Sequence, residues 1–246
     1  VMNSSIALCW FRRDLRIHDH AALFHALKNH ERVYCAFVFD NDILDALTKK
    51  EDRRVEFIWH SIAELNHELG KHGGELIVRH GRAADEIPKL ATELKVQAVY
   101  ANHDYEPRAI GRDQAVAATL AKTDIEFLSF KDQVVFEKDE VLTQAGRPFT
   151  VFTPYKNAWL KKLDDSFLQA HLVEKYLHKL AKPDLHSPIP TLEFLGFHTT
   201  NLLQLGIRPG MSGARATLQD FLPRLAGYKQ RRDFPGIKGV SYLSVH

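Results

Sequence analysis

Cysteine and long apolar segments are scarce in this sequence. The 246 residues include only two cysteines, Cys9 and Cys35, and both lie inside apolar runs. Two buried free thiols are therefore favoured over a disulfide bridge, as in proteins of the reducing cytoplasm. No apolar run approaches the ~20 residues that a membrane-spanning helix needs. The first residues also lack the pattern of a secretory signal. We expect a cytoplasmic, monomeric globular protein that does not enter a membrane.

Several motifs that carry chemistry are also missing. The stretch "WFRRDLRIHDH", where the first strand should turn into a helix, contains no glycine. A nicotinamide-binding fingerprint needs glycines at this turn, so a dehydrogenase is disfavoured. The histidine pairs His18/His20 and His171/His178 do not fit a zinc-ligand spacing, and no G-x-S-x-G nucleophile motif occurs. We predict no metal site and no nucleophilic catalytic residue.

Positive charge is concentrated near the carboxyl end of the sequence. The net charge of the chain is only +2. From Gly206 to His246, however, seven lysines and arginines stand against two aspartates. A polyanionic partner would bind this basic segment. A solvated helix face explains the same charges equally well.

The first half of the chain alternates between short apolar runs and amphipathic segments. The apolar runs, expected to be strands, lie at 6–11, 33–39, 75–78, 98–101 and 125–130. Helical spacing covers 54–69, 84–94 and 112–121, and is clearest in Val55, Ile58, Trp59, Ile62, Leu65 and Leu69. This alternation predicts an α/β fold with a five-stranded parallel, Rossmann-like sheet and helices on both faces. Ligands of such sheets bind at the carboxyl ends of the strands.

The pattern changes after residue 130. Turn signals and prolines predict a long connector that includes a short amphipathic helix in "TPYKNAWLKKL". Helical texture returns near residue 199, with 214–226 as the best helix candidate. We therefore divide the chain into an α/β domain at 1–132, a connector at 133–200 and the start of a helical domain at 201–246.

Three arginines lie in the first turn: Arg12, Arg13 and Arg16 surround Asp14 and Asp19. Arginine binds carboxylates through two parallel hydrogen bonds, so an internal ion-pair cluster that holds the turn is favoured. Direct contact of one arginine with a ligand is the alternative.

Three ordered motifs resemble the photolyase/cryptochrome family. They are "CWFRRDLRIHDHAAL", "RPFTVFTPYKNAWLKKL" and "YKQRRDFPGIKGVSYLS". The "TPYKNAW" and "QRRDFP" versions are most similar to class I cyclobutane pyrimidine dimer photolyases. The resemblance implies the amino-terminal portion of such a protein. In that family an α/β domain and a connector precede a helical domain that holds flavin adenine dinucleotide (FAD). Light-excited reduced flavin then gives an electron to a pyrimidine dimer that has been flipped out of double-stranded DNA.

The resemblance also assigns residues at the carboxyl end. It implies FAD contacts for Tyr228, Ser241, Leu243 and Ser244, and a contact with a phosphate of damaged DNA for Arg232. Two serines that lead into a helix suit an anion, although they also suit a plain helix cap. Val240 stands where the family usually has threonine, so one hydroxyl contact with the flavin is lost. The resemblance places no catalytic residue within the chain.

A second chromophore, the light-harvesting antenna, is implied for the α/β domain. In "YANHDYEPRAIGRDQ", Arg108 and Ala109 replace the asparagine and glutamate that folate-binding members tend to have. A deazaflavin-like antenna is therefore expected. The residues that would bind it, in predicted strand ends or just beyond, are Phe37, Asp40, Arg54, Asp104 and Glu106. Alternatively, Asp104 and Glu106 cap a helix that starts near Pro107.

Three functions follow as hypotheses. The favoured one is a light-driven DNA repair lyase, because a basic segment with Arg232 suits contact with DNA phosphates. The alternatives are a cryptochrome-type photoreceptor and a stand-alone chromophore-binding module. We expect the chain by itself neither to retain FAD nor to repair DNA, and we expect that His246 is not a natural domain end.

Overall fold

A five-stranded, fully parallel sheet forms the centre of the computed structural model, which describes residues 5–185 and 187–245. The spatial order of the strands is β3-β2-β1-β4-β5. Their bounds are Ile6–Phe11 (β1), Arg32–Asp40 (β2), Leu76–Gly81 (β3), Ala98–Asn102 (β4) and Glu126–Phe130 (β5). All five predicted strands are thus confirmed. Strands covered on both faces need continuous apolar runs, and that is the signal the sequence carries.

Helices follow the strands as predicted, with shifted ends. The bounds are Ala21–Asn29 (α1), Asn41–Leu44 (α2), Arg53–Gly70 (α3), Ala83–Glu93 (α4), Pro107–Ala121 (α5), Phe152–Lys162 (α6), Gly210–Phe221 (α7) and Tyr228–Arg231 (α8). Helix α5 begins five residues before the predicted 112, because Pro107 takes the first helical position. Helix α1 is the helix expected after the first strand, for which the spacing of apolar residues gave no bounds. Its cap is the ring of His20, whose Nδ1 accepts the Leu23 N–H, and histidine is not a usual capping signal.

Two apolar cores lie on opposite faces of the sheet. Helices α4 and α5 cover one face, while α1, α3 and part of the predicted connector cover the other. Val173, Leu177 and Phe197 are buried in this second core. The N–H of Ala181 donates to the carbonyl of Val33 in β2, so the segment also bonds to the sheet. Residues 173–185 and 187–197 therefore pack as part of the α/β unit. The domain boundaries at 132 and 200 stay a prediction.

Cys9 and Cys35 are free thiols in the sheet interior, as predicted. They are register partners on β1 and β2. Burial raises the pKa of both thiols well above the usual value, and in Cys9 the proximity of Cys35 adds to this increase. Both side chains therefore act as small apolar groups in the core.

Helix α3 differs from its predicted face at one position. Val55, Ile62 and Leu65 are buried, but Ile58 is 36% exposed. The apolar face of α3 is therefore not buried over its whole length. The side chain of Ile58 lines an open cavity between α3 and α7. Apolar residues occur both in the core and in the walls of a cavity, so the spacing of apolar residues along a helix cannot distinguish a buried position from a cavity wall.

Helix α7 lies earlier in the sequence than the predicted 214–226, because it begins at Gly210. Helix α7 ends at Phe221, and a 3-10 segment with Pro223 follows over Leu222–Gly227. Glu64 of α3 joins the two helices, since it accepts the backbone N–H and the hydroxyl of Ser212 at 2.7 Å each. Gly213 allows the loop before α7 to pass close to the helix. A Cβ atom there would lie 1.8 Å from the carbonyl oxygen of Arg208.

Candidate chromophore site

A buried polar network occupies the point where the strand order reverses, between the carboxyl ends of β1 and β4. Asp14, His20 and Asn102 are all buried. Asp14 Oδ2 lies 2.6 Å from Asn102 Nδ2 and 3.0 Å from His20 Nε2, and its Oδ1 accepts the N–H of Arg12 at 2.8 Å. Burial by itself would raise the pKa of Asp14. The attraction and hydrogen bond of His20, with the Arg12 N–H, outweigh this and hold the pKa well below its usual value.

The three arginines of the first turn are ion-paired. The pairs join Arg12 to Asp113, Arg13 to Glu106 and Arg16 to Asp132, with N–O distances of 2.6, 3.0 and 2.8 Å. An ion-pair cluster is therefore confirmed, but its carboxylates are not the predicted ones. Asp14 faces His20 instead, and Asp19 accepts the backbone N–H of His171. The observed partners lie about a hundred positions away in sequence, so no local pattern indicated them.

A second group that the sequence did not indicate surrounds Trp10. The guanidinium groups of Arg12 and Arg112 lie 4.8 and 4.9 Å from the centre of its indole ring. Asp113 binds both arginines, at 2.6 Å for Arg12 and 3.1 Å for Arg112. Stacking on the ring and pairing with Asp113 hold both guanidinium planes in place. This group fastens the first turn to α5.

An open cavity of about 560 Å³ lies beside this turn. Its walls are the turn itself, the first half of α3, the loop before α7 and the start of α7. The lining residues are Arg12, Arg13, Asp14, Leu15, Arg16, Arg53, Arg54, Phe57, Ile58, Ser61, Leu202, Ile207, Gly210, Met211, Ala214 and Ser244. An apolar wall with a few convergent polar groups is typical of a small-molecule site, and this volume is in the usual range. Its place at the carboxyl edge of the sheet agrees with the expected position of a ligand.

A second, polar cavity of about 700 Å³ shares two side chains with the first. Arg53 and Arg54 line both cavities. Arg54 is paired with Asp52, which also caps α3, at 2.5 Å. The Nε–H of Arg53 donates to the side-chain oxygen of Asn201 at 2.9 Å. The two arginines therefore stand on the border between an apolar and a polar space.

The predicted antenna residues are not all at this cavity. Arg54 lines it directly. Asp104 and Glu106 reach its edge through Arg13, which lies 3.8 and 3.0 Å from their carboxylates.

Phe37 and Asp40 lie elsewhere, at the end of β2. Phe37 is buried and packs edge-on against Phe39, with ring centres 5.1 Å apart. One carboxylate oxygen of Asp40 accepts the N–H groups of Asp42 and Ala83, at the starts of α2 and α4. Neither residue lines the cavity, and the observed contacts of both are structural.

The alternative reading of Asp104 and Glu106 as caps of α5 receives little support. Glu106 holds the cap position, but its side chain makes no capping hydrogen bond. Asp104 accepts the Glu106 N–H only at 3.5 Å. Glu106 pairs with Arg13 at 3.0 Å, and Asp104 lies 3.8 Å from Arg13 and 3.9 Å from Arg112. Both carboxylates therefore contribute to the charge balance at the edge of the cavity.

The predicted flavin and DNA residues lie on the last part of the described chain. The guanidinium of Arg232 lies 5.7 Å from the ring centre of Tyr228, so the predicted DNA residue and flavin residue are in contact. Ser241 Oγ accepts the Leu243 N–H at 3.3 Å. The helix expected after these serines is a single 3-10 turn, Leu243–Val245. Ser244 lines the cavity that Arg54 also lines, so the structure does not separate the two predicted cofactor sites.

Within 5–185 and 187–245, no group of three or more His, Cys, Asp or Glu side chains could hold a metal ion. No helix in this part of the chain has both the length and the apolar character needed to cross a membrane.

Comparison with known proteins identifies the family. A model of the DNA photolyase family matches residues 7–175, which is more than half of the chain. The chain belongs to the DNA photolyase family. The resemblance read from the three sequence motifs is thereby confirmed.

Individual photolyase relatives match along almost the whole chain. A deoxyribodipyrimidine photo-lyase of Alkalihalophilus pseudofirmus is 32% identical, over 99% of this chain and 51% of the relative. One of a Synechococcus species is 33% identical, over 96% of this chain and 49% of the relative. The chain thus spans about half the length of these curated relatives.

Solved photolyase structures share the fold. A bacterial class III photolyase from Agrobacterium tumefaciens superposes with a TM-score of 0.84 at 26% identity, covering 99% of this chain and 50% of that one. An archaeal photolyase from Sulfolobus tokodaii, solved with two FAD molecules, gives 0.71 at 26% identity, covering 98% and 51%. The parallel α/β fold is thereby confirmed. The expected similarity to class I in particular stays a prediction.

Proposed function

We propose that this chain forms the α/β, light-harvesting part of a blue-light-driven lyase that splits cyclobutane pyrimidine dimers in DNA. The observation that carries the proposal is an apolar, arginine-rimmed cavity at the carboxyl edge of a photolyase-family sheet. The chain spans about half the length of its curated relatives. The repair activity of a whole enzyme is therefore proposed for the protein, and it is not an observed property of this chain.

The cavity suits a planar aromatic chromophore. Phe57, Ile58 and Met211 offer apolar surface, while Arg13 and Arg54 offer cationic donors at the rim. Arginine stacks on aromatic rings and also binds anions, so this combination favours an aromatic group with polar substituents. We propose a deazaflavin-like or flavin antenna here in preference to a folate. Asp104 and Glu106 would act indirectly, by orienting Arg13.

FAD is the proposed catalytic cofactor, and reduced FAD would supply the electron that opens the cyclobutane ring and then take it back. Tyr228 would contact FAD through its ring, which is partly exposed. Ser241 accepts the Leu243 N–H, yet its own O–H can still donate to a phosphate oxygen. Ser244 and the backbone of Leu243 would complete this side of the flavin site.

Arg232 is the proposed contact with a phosphate of the damaged strand. Its side chain is half exposed, and its described carboxylate neighbour, Asp233, is 3.6 Å away and more exposed still. Exposed ion pairs contribute little to stability, so Arg232 can leave Asp233 and bind a phosphate with little loss of free energy. The proposal further includes a monomeric, cytoplasmic protein that acts on double-stranded DNA. It also includes the division into an α/β domain at 1–132, a connector at 133–200 and a helical segment at 201–246.

Repair should be tested on the native protein isolated from its source cells. Ultraviolet-irradiated oligothymidylate would be incubated with the protein in blue light and in the dark, and the remaining dimers counted by chromatography. We expect dimers to disappear only in the light. A protein that absorbs blue light but leaves dimers intact would contradict repair and favour a photoreceptor. Lack of any bound flavin would favour a stand-alone chromophore-binding module.

A further inference from the structure

Tyr105, in the loop between β4 and α5, belongs to a hydrogen-bonded group of three side chains. Its O–H donates to Oε2 of Glu137 at 2.7 Å, and Nδ1 of His103 lies 2.7 Å from the same oxygen. Backbone contacts fix this group. The N–H of His103 donates to the carbonyl of Phe130 in β5, and Glu137 forms a capping box with Glu140. A phenol is thus held directly against a carboxylate base.

The charges that act on this hydroxyl are negative. Burial raises the pKa of Tyr105, and the hydrogen bond to Glu137 and the charges of Glu137, Glu140 and Asp132 raise it further. Burial would also raise the pKa of Glu137, but its hydrogen bonds with His103 and Tyr105 outweigh this and lower it. In the resting protein the proton therefore belongs to the phenol, and Glu137 is an ionised base. Loss of an electron from Tyr105 reverses this preference, because an oxidised phenol is a strong acid.

Tyr100 also has a base at its hydroxyl, but a poorer one. Nε2 of His30 lies 3.1 Å from the hydroxyl oxygen. Burial lowers the pKa of His30, so this imidazole takes up a proton less readily. Within residues 5–185 and 187–245, the buried Nδ1 of His30 has no hydrogen-bond partner, and an imidazolium there would carry an unpaired N–H. Loss of a proton on oxidation is therefore easier for Tyr105 than for Tyr100.

Trp10, which is buried beside the first turn, is a poor place for an added positive charge. The guanidinium groups of Arg12 and Arg112 lie 4.8 and 4.9 Å from the centre of its ring. Asp113 pairs with both arginines and offsets one of the two charges. The positive charge that remains opposes the removal of an electron from the indole. The electrostatics of this edge of the sheet therefore favour oxidation of Tyr105 over oxidation of Trp10.

We propose that Tyr105 is a redox-active residue, which loses an electron and a proton together. The electron passes to a one-electron oxidant. The O–H bond of Tyr105 breaks, and the proton forms a new O–H bond on Oε2 of Glu137. The products are a neutral tyrosyl radical and a neutral carboxylic acid.

The oxidant expected in the cell is a light-excited aromatic chromophore, and this part of the inference rests on the proposed function. Asp104, which directly precedes Tyr105, lies 3.8 Å from Arg13 at the edge of the chromophore cavity. The loop that carries Tyr105 therefore reaches the place where light would be absorbed.

The test uses a soluble oxidant, so it needs neither a bound chromophore nor DNA. A light flash on a ruthenium tris-bipyridine complex with persulfate would generate this oxidant in a solution of the full chain. The tyrosyl radical is followed by absorbance and by electron paramagnetic resonance. We expect Tyr105→Phe to remove most of the radical signal. Tyr155→Phe is the matched control and should preserve it, because half-buried Tyr155 packs on Phe149 with no hydroxyl hydrogen bond recorded in the described part of the chain.

The role of Glu137 is tested by the pH dependence of the rate. Between about pH 6 and 9 Glu137 is ionised and Tyr105 is protonated, so radical formation in the wild type should be independent of pH. Glu137→Gln should slow it about a hundredfold, the usual contribution of a positioned base. The rate that remains should rise with pH, because hydroxide then takes the proton. Glu137→Asp should restore part of the rate and its independence of pH.

An unchanged signal in Tyr105→Phe, or loss of the signal in Tyr100→Phe instead, would overturn the inference. A rate in Glu137→Gln that equals the wild-type rate, or that does not change with pH, would show that the contact is only structural and would also overturn it. Dimer repair is measured separately on the native protein. Failure of the radical test therefore leaves the proposed function standing, and failure of repair leaves the radical test valid.

Discussion

The variant Asp14→Asn replaces one carboxylate oxygen by an NH2 group at the centre of the buried polar network. Asp14 Oδ2 is approached by two donors, Asn102 Nδ2 at 2.6 Å and His20 Nε2 at 3.0 Å. The amide of Asn102 cannot turn over, because its oxygen accepts the N–H of Ala22 at 2.9 Å. If the new amide oxygen accepts the Arg12 N–H, the new NH2 group faces the donors of Asn102 and His20. If the amide is turned over, the NH2 group faces the Arg12 N–H instead. Either orientation leaves at least one buried donor without an acceptor.

The size of the effect follows from this geometry. Each buried donor that loses its acceptor costs about 1–3 kcal/mol. Loss of the Asp14 charge also weakens the hydrogen bond from His20 Nε2–H, and hydrogen bonds to a charged group contribute about 1.5–3 kcal/mol. Because the two figures describe the same contacts, they do not add. We expect Asp14→Asn to lower the free energy of unfolding by about 1.5–3 kcal/mol, and the melting temperature by roughly 2–4 °C per kcal/mol in a chain of this length.

The assay is urea unfolding of the wild type and the variant at several pH values. The pKa of Asp14 is lowered in the folded state, so its contribution is complete above the unfolded pKa of about 3.9. The contribution is lost as the pH falls through the folded pKa. The difference between the two proteins should therefore be constant from about pH 5 to 8 and should shrink below about pH 4.

Asp45→Asn is the control, since Asp45 is exposed at the end of α2. It should change the free energy of unfolding by no more than about 0.5 kcal/mol. A difference below about 1 kcal/mol for Asp14→Asn at neutral pH would refute the reasoning. A full difference that persists at pH 3 would also refute it, because the charge of Asp14 would then not be the cause.

Two further predictions concern packing and DNA. Gly213→Ala should lower the free energy of unfolding by about 1–3 kcal/mol or more, because the new Cβ would lie 1.8 Å from the Arg208 carbonyl oxygen. At Gly111 in α5 a Cβ would meet nothing within 4 Å, so Gly111→Ala should raise the free energy of unfolding by about 0.5–1 kcal/mol. Thermal unfolding decides this, and equal effects of the two variants would contradict it. Arg232→Ala should weaken binding to dimer-containing duplex DNA and reduce the salt slope of log K by about 0.9, while Lys89→Ala on α4 should not. An unchanged slope in fluorescence anisotropy would count against the phosphate contact.

Local patterns predicted the strands because parallel strands are buried on both faces and need uninterrupted apolar runs. They gave no bounds for α1, whose cap is the ring of His20. They also grouped Ile58 with the buried residues of α3, although Ile58 lines a cavity. At both positions the surrounding structure, and not the local sequence, decides the role of the residue.

The candidate site was only partly predictable. Its position at the carboxyl edge follows from strand order, and Arg54, which the resemblance assigns to the antenna site, lines the cavity. Phe37 and Asp40 follow a neighbouring strand but lie in the core and at helix starts, away from the cavity. Resemblance assigns residues to a region, and the side-chain contacts within that region depend on packing.

The sequence by itself determined the family, the parallel α/β sheet, the buried free thiols and the ion-paired character of the first turn. These follow from short-range patterns and from motifs that occur in order along the chain. Only the tertiary structure decided which carboxylates pair with the arginines, that α7 closes a cavity against α3, and that Arg53 stands between two cavities. The reason is distance in sequence: Arg12 meets Asp113, and Glu64 meets Ser212, across more than a hundred residues, where the sequence contains no periodic signal to connect them.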